Sequence, residues 1–209
     1  PSENFNRLKK KIIIFDLDGV LIDSKKNMQV ALAATSKKLN VHIDFNKYIK
    51  FLGLPFEKIL AKIKIKNNFK LIKKTYEKES IKKIRNIKIN KKNLKELTKL
   101  KKSFILTVFT SKSRKRTQLI LKPYSLFDHI VTSDDVKFGK PHPEGIKIIL
   151  KKFNIDKNDC IMIGDSYFDF LASKNAKIKY LHAFWGYDKE MNNLKKINVI
   201  NNFSEIKEF

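Results

Sequence analysis

Two aspartates that follow a short apolar run are the residues of this sequence best suited to chemistry. Residues 12–15 are Ile-Ile-Ile-Phe, and Asp16, Asp18 and Gly19 come directly after them. Two carboxylates this close repel each other, so we expect a cation to lie between them. Packing gives no reason to place two acids at the end of a buried strand, which favours a site at this position.

The same pattern, Asp-x-Asp-Gly, also begins ordinary turns and calcium-binding loops. A calcium loop needs further acids at alternate positions and Glu at its twelfth position. Counted from Asp16, the twelfth residue is Asn27, which excludes the calcium loop. A plain turn stays the alternative until the rest of the chain is considered.

Three later apolar runs, 104–109, 129–132 and 160–163, are also followed by polar residues. These are a hydroxyl pair, a lysine held between Gly and Pro, and a second group of acids: Thr110, Ser111, Lys140, Asp165, Ser166 and Asp169. Ser and Thr are ordinary helix caps, but a helix N-terminus there would also favour an anion. Because open α/β sheets bind ligands at the carboxyl ends of their strands, the four groups together predict one site.

The elements that would position these residues alternate along the second half of the chain. Apolar runs predict strands at 12–15, 104–109, 129–132, 160–163, 178–183 and 199–200. Helical periodicity predicts helices at 94–100, 114–122, 144–153 and 167–173, and a last helical turn at 204–209. Strands separated by helices in this way predict an α/β fold with a doubly wound parallel sheet.

Residues 25–88 have helical patterning throughout and are predicted to form a small all-helical domain inserted after the first strand. Its helices are expected at 27–39, 56–65 and 69–84, with a connector at 41–50. The remaining residues, 1–24 and 89–209, are predicted to form the α/β core.

The net charge of +25 suggests a nucleic-acid partner, but the residue types argue against it. Only four of the 46 basic residues are arginine, the better residue for gripping phosphate: Arg7, Arg85, Arg114 and Arg116. The lysines are scattered and accompanied by many Ile and Asn residues, which is typical of an AT-rich genome. We therefore expect a solvated lysine surface that attracts small anions and no nucleic-acid partner.

Composition also bears on location. The single cysteine, Cys160, excludes an internal disulfide, and no run is long enough for a membrane span. Residues 1–10 lack the apolar stretch of a signal peptide. A cytoplasmic protein with no membrane partner is expected, as a monomer or homodimer.

The polar groups at the strand ends resemble the four signature motifs of the haloacid dehalogenase superfamily, in the family order. They are the segment 16–24, the strand that ends at Thr110, the segment 140–143 and the segment 164–169. The resemblance spans residues 11–187 and implies a Rossmann-like core.

The helical insertion resembles the small cap domain of phosphoglycolate phosphatase-like members of that superfamily. Within it, Gly53, Leu54 and Pro55 resemble the cap loop that reaches the substrate and sets specificity. Residues 184–187, Phe-Trp-Gly-Tyr, resemble a segment that follows the last core strand in those phosphatases.

The resemblance implies a Mg²⁺-dependent phosphatase that hydrolyses a small phosphorylated metabolite through an aspartyl-phosphate. Asp16 would be the nucleophile and Asp18 the general acid and base. Mg²⁺ would be bound by Asp16, the main-chain carbonyl of Asp18, and Asp165. The phosphoryl group would be bound by Gly19, Thr110, the amide of Ser111, and the catalytic Lys140. Asp169 and Ser166 would support the site, Asp169 through a metal-bound water or by orienting Lys140.

Some positions depart from the common family pattern and keep an alternative open. Asp18 favours phosphate chemistry, since dehalogenases lack this second acid. Val20 stands where many phosphatases have Thr, and it also occurs in sugar phosphomutases. Ser111 replaces a common Asn, and Lys177 a common Gly. A β-phosphoglucomutase-like enzyme is therefore the second hypothesis, although the insertion contains only one arginine, Arg85, besides its lysines.

Overall fold

A six-stranded, fully parallel sheet forms the centre of the computed structural model, which describes residues 10–193 and 197–208. The strands are β1 (Ile12–Phe15), β2 (Ile105–Phe109), β3 (His129–Val131), β4 (Cys160–Gly164), β5 (Lys179–Ala183) and β6 (Asn198–Ile200). Their order is β3-β2-β1-β4-β5-β6, so the strand that precedes Asp16 is central. Arg7, and Phe209 at the end of the predicted last turn, lie outside the described residues.

Strand β1 pairs with β2 on one side and β4 on the other. All four of its side chains are fully buried, because both faces of the sheet are covered. Ile13 and Phe15 pack into one apolar cluster, and Ile12 and Ile14 into a second on the opposite face. This is the alternation that a strand imposes. Burial of each such side chain stabilises the fold by about 1.5–3 kcal/mol.

Helices cover the two faces of the sheet. The helices of the second half are α5 (Lys91–Ser103), α6 (Arg114–Leu121), α7 (Glu144–Phe153) and α8 (Tyr167–Ala176). Leu97 of α5 and Ile120 of α6 belong to the first cluster, and Ile146 of α7 and Ala172 of α8 to the second. The prediction of a doubly wound α/β sheet is confirmed.

The insertion after β1 is helical and has an apolar cluster of its own. Its helices are α1 (Lys25–Leu39), α2 (Phe45–Ile49), α3 (Phe56–Lys62) and α4 (Phe69–Ile81), followed by a 3₁₀ turn at Ile84–Asn86. Met28, Leu32, Leu60 and Ile72 lie at the centre of this cluster. The boundaries at residues 25 and 88 stay a prediction.

One element of the insertion differs from the sequence-based expectation. The connector predicted at 41–50 contains α2, so that prediction was wrong for its central residues. The carboxylate of Asp44 accepts hydrogen bonds from the amides of Asn46 and Lys47 and so caps the helix. Five residues are too few for a readable helical period.

No helix among the described residues is both long enough and apolar enough to cross a lipid bilayer.

Candidate active site

A cavity of about 180 Å³ lies between the insertion and the carboxyl ends of the central strands. The residues predicted from two strand ends and from the insertion loop line it together: Asp16, Asp18, Gly53, Leu54, Pro55, Thr110 and Ser111. On the other side of Asp16 and Asp18, a second opening is lined by Asp165 and Ser166. The topology brings these residues together because β1 lies between β2 and β4.

Lys140 reaches the centre of this group and is completely buried. Its Nζ lies 2.6 Å from Oδ1 of Asp16 and 2.7 Å from Oδ1 of Asp169. Burial alone would lower the pKa of Lys140, but the two carboxylates outweigh it and raise that pKa above its ordinary value. The side chain therefore stays charged and fixes the position of Asp16.

Three buried carboxylates, those of Asp16, Asp165 and Asp169, have oxygen atoms within 4.8 Å of one another. Burial raises the pKa of Asp16 to about 7, despite the opposing charge of Lys140. Burial, followed by the charge of Asp16, also raises the pKa of Asp165 well above its usual value. A hard divalent cation such as Mg²⁺ fits this donor set, because it prefers oxygen ligands and offsets their repulsion.

Asp169 is already engaged by protein groups on both oxygens. Oδ1 pairs with Lys140, and Oδ2 accepts hydrogen bonds from the amide of Ser166 at 3.1 Å and from its hydroxyl at 2.7 Å. The Ser166 hydroxyl in turn accepts from the Asp169 amide and caps α8. Of the two supporting roles predicted for Asp169, this geometry favours the orientation of Lys140.

The side chain of Asp18 has a different set of partners. Its Oδ1 accepts a hydrogen bond from the hydroxyl of Ser24 and lies 3.0 Å from Nζ of Lys112. Burial would raise the pKa of Asp18, but Lys112, Ser24 and then Arg116 together lower it. Asp18 is thus ionised and aligned beside the cavity.

Lys112 was missed by the sequence analysis. It is 4% exposed, and burial lowers its pKa to about 8, helped by the nearby charge of Arg116. It directly follows Ser111, the last residue predicted for its motif, but nothing in a lysine-rich sequence distinguishes it from its neighbours.

Two predicted site glycines have positive φ and close contacts. Gly19 has φ of 87°, and a Cβ there would lie 2.1 Å from Oδ2 of Asp165. Gly53 has φ of 106°, and a Cβ there would lie 2.7 Å from Oγ of Ser166. Both positions need glycine for backbone conformation and for space. The predicted contact of Gly19 with phosphate stays a prediction.

The insertion loop touches the core at two predicted motifs. The hydroxyl of Ser111 donates a 2.5 Å hydrogen bond to the carbonyl of Gly53. Gly139 lies so close to Pro55 that a Cβ would approach the proline ring to 2.8 Å. Leu54 is 5% exposed and packs in the apolar cluster of the insertion. The insertion therefore closes over the site in this structure.

The segment after β5 holds the loop that carries Asp18 and Gly19. The indole N–H of Trp185 donates to the carbonyl of Val20 at 3.0 Å. The hydroxyl of Tyr187 donates to Asp23, and its amide donates to Oδ2 of Asp165 at 2.6 Å. This segment thus links a predicted metal ligand to the loop after the nucleophile strand.

Arg116 is a further residue that the sequence analysis did not place in the site. It lies in the first turn of α6, is 5% exposed and lines the cavity. Its guanidinium lies 4.8 Å from the ring centroid of Tyr76 on α4. The insertion's own Arg85 is exposed. The arginine that lines the cavity therefore comes from a helix of the core and not from the insertion.

The comparisons with known proteins agree with this geometry. The model of the haloacid dehalogenase-like hydrolase family matches residues 13–183, from the strand before Asp16 to the end of β5. The chain belongs to the haloacid dehalogenase-like hydrolase family. The prediction of an enzyme of this family is confirmed.

Relatives that align over most of the chain are named as phosphatases. Pyrophosphatase PpaX from Bacillus velezensis is 31% identical, over 83% of this chain and 82% of its own. Phosphoglycolate phosphatase from Aquifex aeolicus is 30% identical, over 86% of this chain and 87% of its own. A haloacid dehalogenase-like hydrolase of known structure from Streptococcus pneumoniae is 26% identical, with a TM-score of 0.80 over 95% of this chain and 97% of that one.

Proposed function

We propose that this chain is a Mg²⁺-dependent phosphomonoesterase that hydrolyses a small organic phosphate through an aspartyl-phosphate at Asp16. The observation that carries the proposal is the position of Asp16. Its carboxylate lies in a buried acidic cluster, is fixed by Lys140, and faces a cavity that Thr110 also lines. A carboxylate so placed is suited to nucleophilic attack on phosphorus.

In the first half-reaction, a carboxylate oxygen of Asp16 forms a bond to phosphorus and the bond from phosphorus to the ester oxygen breaks. Asp18 gives its proton to the departing oxygen, which leaves as the alcohol. Asp18 is ionised in the free protein, but the phosphoryl charge that enters beside it raises its pKa and competes for Lys112. Substrate binding itself therefore supplies the protonated form.

In the second half-reaction, water forms a bond to phosphorus and the acyl-phosphate bond to Asp16 breaks. Asp18 takes the proton from the water, and inorganic phosphate leaves. Thr110, the amide of Ser111, and Lys140 bind the phosphoryl oxygens whose charge must be stabilised in both steps. Gly19 keeps the main chain close to the same group.

Asp16, Asp165 and the main-chain carbonyl of Asp18 would hold Mg²⁺, which would supply the charge that lets an anionic phosphate approach a carboxylate. The closeness of the buried Asp16 and Asp165 carboxylates supports two of these three ligands. Asp169 and Ser166 orient Lys140 in the proposed mechanism and do not bind the phosphate.

Residues 25–88 act as the cap of a core formed by residues 1–24 and 89–209 in this proposal. The hydrogen bond from Ser111 to Gly53 supports a cap loop, Gly53 to Pro55, that contacts substrate. The cavity of about 180 Å³ favours a small monophosphate over the large sugar bisphosphate that a phosphomutase must reorient.

A panel of phosphorylated metabolites, assayed for phosphate release with and without Mg²⁺, tests the proposal. We expect several small monophosphates to be hydrolysed with no bisphosphate activator. Acid-quenched protein should carry a phosphoryl group on the peptide that contains Asp16. The Asp16→Asn variant should release no phosphate, because an amide cannot form the acyl-phosphate.

Ordinary activity in that variant would overturn the mechanism. Sugar-phosphate isomerisation that exceeds phosphate release by about an order of magnitude would favour the phosphomutase instead.

A further inference from the structure

Arg116 is a buried cation whose hydrogen-bonding capacity is only partly used. It is 5% exposed, and among the described residues no carboxylate lies within ion-pair distance of it. Its Nη2 donates to the hydroxyl of Tyr76 at 3.2 Å, while its buried Nε–H has no hydrogen-bond partner within the described part of the chain. A buried charge with an unsatisfied donor is unfavourable unless a ligand supplies the missing partner.

Two cations, Arg116 and Lys112, act on the single carboxylate of Asp18. Lys112 is buried in the same cavity lining, 3.0 Å from Asp18, so two cations share that one carboxylate. The carboxylate of Asp16 is matched by Lys140. Arg116 and Lys112 therefore lie on the Asp18 side of the cavity, apart from the pairing of Lys140 with Asp16.

Tyr76 holds the guanidinium in one orientation. The ring lies under it at 4.8 Å, and the hydroxyl occupies one of its nitrogens. The remaining N–H groups of a fixed, planar fork match the two oxygens of a carboxylate or phosphate. Tyr48, also in the cavity lining, has its ring centroid 6.5 Å from that of Tyr76 and makes the wall beside it aromatic.

We propose that Arg116 binds a second anionic group of the substrate, a carboxylate or a second phosphate held close to the scissile phosphate. This inference rests on the proposed function and specifies its substrate class. The cavity of about 180 Å³ requires a short spacer between the two anions. If Arg116 served only to join α6 to α4 through Tyr76, the charge of the substrate's tail would make no difference.

Three unreactive phosphonates separate these possibilities by calorimetry at constant free Mg²⁺. Ethylphosphonate has one anionic group, phosphonoacetate adds a carboxylate, and methylenediphosphonate adds a second phosphonate. We expect at least one of the two doubly anionic compounds to bind the wild-type protein about ten- to a hundredfold more tightly than ethylphosphonate, the range of a charge-assisted hydrogen bond. The tighter of the two identifies the second anion.

Variants of α6 assign the effect to Arg116. Arg116→Gln should bind all three phosphonates with the affinity of ethylphosphonate, and Arg116→Lys should retain only part of the preference, because it lacks the fork. Arg114→Gln is the matched control, since Arg114 lies on the same helix, is partly exposed and pairs with Asp135. Arg114→Gln should prefer the doubly anionic phosphonates over ethylphosphonate to the same degree as the wild-type protein. Thermal melting of each variant checks the fold, and Arg116→Lys decides the question if Arg116→Gln does not fold.

The second-anion site would be refuted if the wild-type protein bound all three compounds equally or bound none of them. It would also be refuted if folded Arg116→Gln or Arg116→Lys kept the full wild-type preference for a doubly anionic compound. Measurement of phosphate release tests the proposed function independently of phosphonate binding. If the protein hydrolyses monophosphates with neutral tails as well as those with a second anionic group, the proposed function stands and this inference is refuted. Selective phosphonate binding without any phosphate release keeps the anion site and overturns the phosphatase.

Discussion

Replacement of Lys140 by Met should be among the most destabilising changes available in this chain. The Nζ that it removes lies 2.6 Å from Asp16 and 2.7 Å from Asp169, and all three side chains are nearly or fully buried. Removal of one partner from a buried ion pair leaves uncompensated charge and costs about 3–5 kcal/mol. For a chain of this length, that corresponds to a melting temperature lower by roughly 6–20 °C.

Lys99→Met provides a matched control with the same substitution and a similar contact distance. Lys99 pairs with Glu96 at 2.8 Å, but its side chain is 50% exposed. Such surface pairs contribute at most about 1 kcal/mol, because water solvates both charges and screens their attraction. The two variants carry the same substitution but differ in burial and in the second acidic partner of Lys140, so their difference measures what the buried acidic cluster adds.

Chemical denaturation at neutral pH with a chelator present measures both variants. Addition of Mg²⁺ in place of the chelator should restore part of the stability of Lys140→Met, because a cation at Asp16 and Asp165 replaces some of the lost positive charge. At a Mg²⁺ concentration a hundredfold above Kd, binding adds about 2.7 kcal/mol to the free energy of unfolding. Equal losses in Lys140→Met and Lys99→Met would refute the reasoning that the buried acids depend on this lysine.

Three further predictions concern the acids themselves. Asp18→Asn should fold with reduced stability, because buried Lys112 loses its ion-pair partner. Its turnover should fall roughly 10²–10⁴-fold, as expected for a positioned acid–base, and a loss of less than about threefold would remove Asp18 from that role. Asp165→Asn should need more Mg²⁺ for half-maximal phosphate release, with partial recovery at high Mg²⁺; superimposable magnesium titrations of variant and wild type would show that Asp165 is not a ligand. With a chelator present, the unfolding free energy should fall as pH rises from about 4 to about 7. Burial raises the pKa of Asp16 from 3.8 to about 7 in the folded state, so the folded state binds more protons than the unfolded state in this pH range. Asp16→Asn should flatten that slope, and an unchanged slope would contradict the assignment.

The strands and the residues at their carboxyl ends could be predicted because their signals are local. Ile12–Phe15 is a continuous apolar run, and Asp16 and Asp18 follow it at once. A parallel sheet then requires that these ends share one edge, so the approach of Lys140 and Asp165 to Asp16 follows from topology without any knowledge of side-chain positions.

The residues that escaped prediction depend on contacts between distant parts of the chain. Lys112 is buried against Asp18 of another strand end, and Arg116 meets Tyr76 of the insertion across 40 positions of sequence. A contact between such distant residues leaves no periodic pattern in the sequence. The hydroxyl of Ser111 likewise donates a hydrogen bond to the carbonyl of Gly53, 58 positions earlier in the sequence.

The central place of β1 in the sheet has a consequence for how the protein is made. Ile12–Phe15 leaves the ribosome first, but its neighbours β2 and β4 begin at residues 105 and 160. At typical synthesis rates of 5–20 residues per second, this apolar strand waits about 5–20 seconds for β2. Helices α1–α4 emerge in that interval with a cluster of their own, so we expect the insertion to fold before the core. Protease digestion of ribosome-stalled chains that end near residue 120 should therefore yield a protected insertion beside a cleavable first strand.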